Sequence, residues 1–340
     1  MREILDVQKK LLPDLVEVMQ KRYSILHLIM ISRLIGRRTL ASALNMTERV
    51  LRGEIDFLKA QGLLEIDALG MRITDAGLQV LDQMEPMIKH LFGLTDLEDQ
   101  IRLGYHIAQV IVVPGDSDLS LYVKKELGRS GAAVLRKMVS KDGVIAVTGG
   151  STMAEVANHL TPIPQFKGSL FVPARGGLGE SLELQANTIA SNMAKKTGCQ
   201  YRLLHVPDHL GEEAYQSLIQ DPNINEMLQV IRTSRIVVHG IGEALVMARR
   251  RKVDSDTMKS LQQDGALAEA FGYYFDQKGL VVHKMQTMGI RLEDIQQTET
   301  VIAVAGGKSK GESIAAVMRF GHDDVLVTDE AAAREMLKYL

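Results

Sequence analysis

Two hydrophobic rhythms divide the chain. Over the first ninety residues apolar positions recur every three or four. Leu12, Leu15, Met19, Tyr23, Leu26 and Met30 fall on one stripe of a predicted long helix. Gly36 ends the approach to a short helix, Arg37 to Leu44. Asn45 and Met46 form a tight turn, and Thr47 caps a further helix in which Val50, Leu51, Ile55 and Leu58 face inward. Gly62 closes that helix, and Glu65 to Ile73, with Gly70 at its turn, reads as two short strands. Thr74 then caps a helix from Asp75 to about Phe92. Its positions Leu81, Met84, Ile88 and Leu91 step three, four and three. This seam serves either to pair two chains or to pack within its own domain, and Pro86 predicts a kink or break in it.

Beyond Gly93 the rhythm changes. Thr95-Asp96-Leu97-Glu98 reads as a capping box that opens a new helix, so the domains are set at 1–93 and 94–340. Apolar runs without alternation follow at Val110–Val113, Val144–Val147, Leu170–Val172, Leu203–Val206, Ile236–Val238, Val301–Ala305 and Val325–Val327. Strands buried on both faces, with helical stretches between most of them, specify a doubly wound, mostly parallel, Rossmann-like α/β domain. Phe271–Phe275 and Leu280–Lys284, joined by Asp276-Gln277-Lys278-Gly279, read as an inserted hairpin.

Charge gives the first region a function. From Lys21 to Arg52 there are seven basic residues against one acid, Glu48, whereas acids dominate from Gly53 to Leu94. Helix, short helix, turn, helix and hairpin form a winged helix-turn-helix, whose last helix enters the major groove N-terminus first. Arg49 and Arg52, with Thr47 and Glu48 beside them, are candidates for base edges. Arg37, Arg38 and Arg72 are candidates for phosphates, which position without specifying. The partner is then double-stranded operator DNA. A protein-interaction module of three helices and a hairpin is the alternative. Aromatics at 4% with no Trp argue against a single-strand binder. One cysteine, Cys199, excludes a disulfide framework and a cysteine zinc site within one chain. With no signal peptide and no apolar run of about 20 residues, the expectation is a cytoplasmic protein without a membrane partner.

The second region keeps its candidate chemistry at strand ends. Four strands run into glycine-rich loops: Thr148-Gly149-Gly150-Ser151-Thr152, Pro173 to Gly179, His239 to Glu243, and Ala305-Gly306-Gly307-Lys308-Ser309-Lys310. Glycine lets an anion approach the backbone, and a following helix aims unpaired N–H groups at it. Gly149, Gly150, Ser151 and Thr152 form a candidate phosphate cradle, with Arg175 and Lys310 as charge partners. Gly307-Lys308-Ser309 lacks the earlier glycine of a nucleotide P-loop, since Ile302 stands there. Two Gly-x-Gly pairs fail the dinucleotide fingerprint at Leu245 and Leu182. His205 and His209 flank Pro207, which disfavours a helical metal pair, and Cys199 reads as half-buried and inert. No metal is expected.

These loops, together with Gln185 to Ala194, Gly36-Arg37-Arg38, Arg49 to Glu54, Leu170 to Glu180, Glu269 to Phe275 and Val325 to Glu330, resemble the SorC family of sugar-responsive bacterial regulators across essentially the whole chain. The resemblance implies a repressor of a glycolytic operon induced by fructose 1,6-bisphosphate, with no other cofactor. It also implies an effector domain related to sugar-phosphate isomerases and deaminases, and a tetramer built as a dimer of dimers. It assigns one phosphate to Gly149, Gly150, Ser151 and Thr152 with Lys310 nearby, and the other to Arg250 and Arg251. Arg175, Gln185 and Glu269 would meet the sugar or its phosphates. The resemblance implies Thr in close relatives where Ser151 stands here, and the hydroxyl survives. The rival reading is an enzyme with Glu243 or Glu269 as base. The related deaminases, however, place Asp-Gly-His soon after their Gly-x-Gly loop, whereas Gly242 is followed by Glu243-Ala244-Leu245. With no second acid–base partner evident, catalysis is not expected.

Overall fold

Backbone chemistry sets each boundary in the first part of the chain. The computed structural model describes residues 10–177, 181–208 and 210–340, and the chain divides into two units, Met1–Asp96 and Leu97–Leu340. In the first, α1 (Pro13–Ser32), α2 (Arg37–Ala43) and α3 (Glu48–Ala60) precede β1 (Leu64–Asp67), β2 (Gly70–Ile73) and α4 (Asp75–Leu91). Asn45 turns the chain at φ 51°. Thr47 Oγ1 then accepts the Val50 N–H at 3.4 Å, and Thr74 Oγ1 accepts that of Gly77 at 3.1 Å. β1 and β2 pair antiparallel, and Met71 exchanges backbone hydrogen bonds with Ile35. That approach explains Gly70, where a Cβ would lie 2.8 Å from the Ile35 carbonyl oxygen. Ile25, Ile29, Leu40, Leu51, Ile55 and Leu58 make the core.

Three expectations change here. Tyr23 and Leu26 are buried, but Leu12 and Leu15 are exposed, while Met19 and Met30 are half-buried. α2, β2 and α4 all contact α1, so burial between Tyr23 and Ile31 spreads around the helix instead of following one stripe. Val50 faces solvent. α4 runs through Pro86 unbroken. The proline removes one N–H near the end of the helix, and burial of Ile88 and Leu91 beyond it holds the continuation in place. Of that seam, Leu81, Ile88 and Leu91 are buried and Met84 is half-buried.

In the second unit the strands are β3 (Gln109–Val113), β4 (Val144–Val147), β5 (Leu170–Pro173), β6 (Gln200–Tyr201), β7 (Ile236–His239), β8 (Gly242–Glu243), β9 (Ala268–Ala270), β10 (Tyr273–Phe275), β11 (Val281–Lys284), β12 (Thr300–Val304) and β13 (Val325–Asp329). Among the described residues, seven form one sheet in the order β3-β13-β12-β7-β4-β5-β6, with every pairing parallel. β4, β7, β12 and β13 are buried almost throughout, as a sheet covered on both faces requires. From β4 the chain works outward to β5 and β6, and from β7 it works the other way to β12 and β13. The β4–β7 junction is therefore the switch point, outside whose carboxyl ends such sheets bind ligands.

The expected strand at Leu203–Val206 is absent; β6 lies just before it. Asn187 explains the shift: its side chain donates to the Leu204 carbonyl at 2.9 Å and accepts the Leu204 N–H at 3.0 Å, taking the groups a ladder would use. The inserted hairpin is half of a four-stranded antiparallel sheet, β11-β10-β9-β8. Its inner strand begins at Tyr273 because Phe271 and Gly272 turn with φ of 56° and 86°. The helix expected from Thr95 starts at Leu94, which places Thr95 inside its first turn. The Glu98 carboxylate accepts the Val112 N–H at 2.9 Å.

Candidate functional site

The loops after β4 and β7 are zipped together at the switch point. The Thr148 N–H donates to Val238 O, and Thr148 Oγ1 accepts the Gly240 N–H, both at 3.1 Å. Gly149 then passes so close to Leu184 that a Cβ would sit 2.6 Å from its carbonyl oxygen. Gly150, at φ 117°, donates its N–H to that same oxygen at 2.8 Å. Gly150 therefore shapes the cradle but does not offer its amide. The free amides come from Ser151, Thr152 and Met153, which open the helix Ser151–His159 and have no partner within it. These residues line a cleft with Arg175, Arg250, Arg251, Glu269, Phe271 and Lys310. Gln185 stands just behind the Gly149 loop, capping the helix Ala186–Thr197.

Lys310 is positioned by acids that hold backbone. Asp329 accepts the N–H groups of Ser117, Gly307 and Ala332 at 2.7–2.9 Å, and Asp118 accepts that of Ser309 at 2.8 Å. Burial, and then the charge of Lys124, push the Lys310 ammonium below its usual range, with Asp118 opposing.

Across the cleft lies a buried network of four charges. Arg175 donates to both oxygens of Asp208, at 2.6 and 2.8 Å, and to Glu269 at 3.0 Å. Arg251 donates to Asp208 at 3.3 Å, to Glu269 at 2.8 Å and to the Tyr274 hydroxyl at 3.2 Å. Glu269 also accepts the Gly272 N–H at 2.7 Å, delivered by the left-handed turn at Phe271 and Gly272. Burial alone would raise the Glu269 pKa, but Arg251 and Arg175 pull it below the ordinary glutamate value. Burial also raises that of Tyr274. The network is formally neutral, with two guanidiniums and two carboxylates.

The sequence-predicted residues thus divide. Gly149, Gly150, Ser151, Thr152, Arg175, Arg250, Arg251, Glu269 and Lys310 line one cleft. Arg250 is exposed at the end of the helix Ala244–Arg250, whereas Arg251 is buried. Asp208 and Tyr274 carry no spacing signal and were missed. Leu178, Gly179, Glu180 and His209 lie outside the described residues. His239 is fully buried and reaches Asp323 at 2.6 Å. Cys199 is half-buried, with its thiol donating to Phe166 O at 3.2 Å. Among the described residues no group of three potential metal ligands occurs, and no helix is long and apolar enough to cross a membrane.

In the first unit Thr47, Glu48, Arg49 and Arg52 are exposed at the start of α3. Arg38 is exposed and lies 3.6 Å from Glu48; Arg72 is 3.5 Å from Asp67; Arg37 is half-buried. Lys21 and Arg22 turn away from that face to pair with Glu54 at 2.7 and 2.8 Å. The Arg22 guanidinium also lies 3.7 Å from the centre of the Phe57 ring.

Two family models match the chain: an N-terminal DNA-binding domain, that of CggR, over residues 18–88, and a sugar-binding domain over residues 89–338. A solved structure from Enterococcus faecalis, described as a SorC family transcriptional regulator, superposes with a TM-score of 0.67 at 44% identity, covering 71% of this chain and 99% of that one. The chain belongs to the SorC family. Full-length relatives carry the name central glycolytic genes regulator. One from Priestia megaterium is 48% identical over 339 residues and one from Bacillus subtilis 46% over 338, each pair covering 99% of both chains. This SorC-family chain is a transcriptional regulator and not an enzyme. The cleft agrees with that reading, because Glu269, held ionised by two guanidiniums, is poorly suited to move a proton near neutral pH.

Proposed function

We propose that the protein is a DNA-binding repressor of glycolytic genes, relieved when a phosphorylated sugar, fructose 1,6-bisphosphate, occupies the cleft. The observation that carries this reading is the cradle: three open helix amides, the hydroxyls of Ser151 and Thr152, and the Lys310 ammonium converge at the switch point. Arg250, exposed on the same cleft, supplies a cation for a second phosphate. Glycolytic genes as the target follow from the names of the two close relatives. The exposed arginines of α3 read the operator, and an oligomer presents two such helices to successive half-sites.

Relief requires the effector to bind two arrangements of the oligomer with different affinity. A bisphosphate spanning Gly149–Thr152 and Arg250 rigidifies the effector domain and disfavours the arrangement that fits the half-sites. Operator affinity measured with and without saturating fructose 1,6-bisphosphate tests this. Weaker binding with the sugar is expected, and equal affinity would refute it. Thermal midpoints against mono- and bisphosphorylated sugars identify the preferred effector, since a specific ligand raises the midpoint with occupancy.

A further inference from the structure

The cradle has a neighbour that the sequence did not mark. Lys124, in the first turn of the helix Leu121–Met138, is half-buried, and its Nζ lies 3.5 Å from Ser151 Oγ. Among the described residues no carboxylate lies within ion-pair distance of this ammonium; the Ser151 hydroxyl is its hydrogen-bond partner. Its charge nevertheless reaches Lys310, where it adds to burial in disfavouring the protonated amine. Three sources of positive potential therefore meet: two ammoniums and the N-terminal end of the helix Ser151–His159, whose dipole repels cations. Asp118 and Asp329 oppose this around Lys310, but their oxygens already accept four backbone N–H groups. An arrangement of this kind is relieved by an anion.

We propose that Lys124 is a second cation of the phosphate cradle, reaching from outside Ser151 to the same phosphate that Lys310 holds, so that the cradle selects a doubly ionised phosphate over a singly charged or neutral group. The proposal rests on the sugar-phosphate reading above and adds to it both a residue and a charge preference. Lys124 and Lys310 attract the phosphate, Arg250 adds positive charge that reaches Lys310, and Asp118 and Asp329 bias it in the opposite sense. A phosphate monoester takes its second charge near pH 6, so occupancy of a two-lysine cradle rises between pH 5.5 and 7.5.

The test titrates the full-length protein, as wild type, Lys124→Gln and Lys124→Arg, with fructose 1,6-bisphosphate and with inorganic phosphate at pH 5.5 and 7.5. A lost charge-assisted hydrogen bond weakens binding by about 10- to 100-fold. Lys124→Gln should show that loss for both compounds at pH 7.5, and its affinity should change less between the two pH values. Lys124→Arg should retain most of the affinity. Unchanged operator binding by Lys124→Gln without sugar, together with an unchanged thermal midpoint, separates the effect from misfolding. If the wild type binds and Lys124→Gln binds within twofold of it at both pH values, the inference is overturned while the cradle stands. If the wild type binds neither compound, the cradle reading falls and the inference with it.

Discussion

Replacing Asp208 by Asn tests the charge network that forms one wall of the cleft. Asp208 is 1% exposed and takes two hydrogen bonds from Arg175 and one from Arg251. The amide keeps the shape but removes the charge, leaving Glu269 as the single counter-charge in the network for two buried guanidiniums. Breaking a buried pair from one side costs about 3–5 kcal/mol, because the remaining charge is uncompensated. For a domain of about 240 residues, at about 2–4 °C per kcal/mol, the midpoint should fall by roughly 6–20 °C. The control is Glu299→Gln. Glu299 makes an equally regular two-bonded pair with Arg235, both bonds 2.8 Å, but in solvent, where such a pair contributes little. Calorimetry of the full chain should show the effector-domain transition displaced in the first variant and nearly unmoved in the second. Adding Arg251→Met to Asp208→Asn removes the excess cation and should recover much of the loss. Equal midpoints for the two single variants, or a double variant that is simply additive, would refute the reasoning.

The same network predicts a pH dependence. Glu269 has a depressed pKa in the folded chain, so its contribution is fully present above the ordinary glutamate value, about 4.3, and is lost as pH falls through the lower folded value; Glu269→Gln should flatten that acid limb in pH-dependent unfolding. In the first unit, Arg49→Ala and Arg52→Ala should each weaken operator binding by about 1–3 kcal/mol and relax base preference, as read by gel shift against single-base operator variants; unchanged binding in both would remove the recognition role. Gly149→Ala must push Leu184 aside and should abolish effector binding in calorimetric titration. Gly150→Ala, which meets open space but keeps a φ of 117°, should instead lower stability by about 1–3 kcal/mol.

What the sequence revealed follows from how local each signal is. Turn and cap chemistry at Asn45, Thr47, Gly62 and Thr74, and the apolar runs that became β3, β4, β5, β7, β12 and β13, are encoded within a few residues, and the architecture followed from them. Several departures depend on a partner distant in sequence or on tertiary packing. Asn187 captures the backbone of Leu204, seventeen residues on, and displaces a strand. Packing carries α4 through Pro86. Lys21 and Arg22 look available to DNA until Glu54, more than thirty residues away, takes them. The cradle was legible because glycine, hydroxyl and helix start are contiguous from Gly149 to Thr152. Asp208, Tyr274 and Lys124 were not, since each acquires its role only when the fold brings its partners near.

This division clarifies how Arg175 and Arg251 can belong to both a structural network and a ligand site. A guanidinium carries five N–H donors. Arg175 commits three of them, two to Asp208 and one to Glu269; Arg251 commits three, one each to Asp208, Glu269 and Tyr274. Each retains two donors, but its charge is already balanced by the two carboxylates. Both arginines are therefore suited to donate hydrogen bonds with fixed direction, as hydroxyls and ester oxygens of a sugar require, and contribute little net attraction for an anion. That attraction must come from other cations, and Lys310 lines the same cleft, with Lys124 beside Ser151. On the function proposed above, a phosphate group would meet these lysines while the neutral part of the sugar meets the balanced wall.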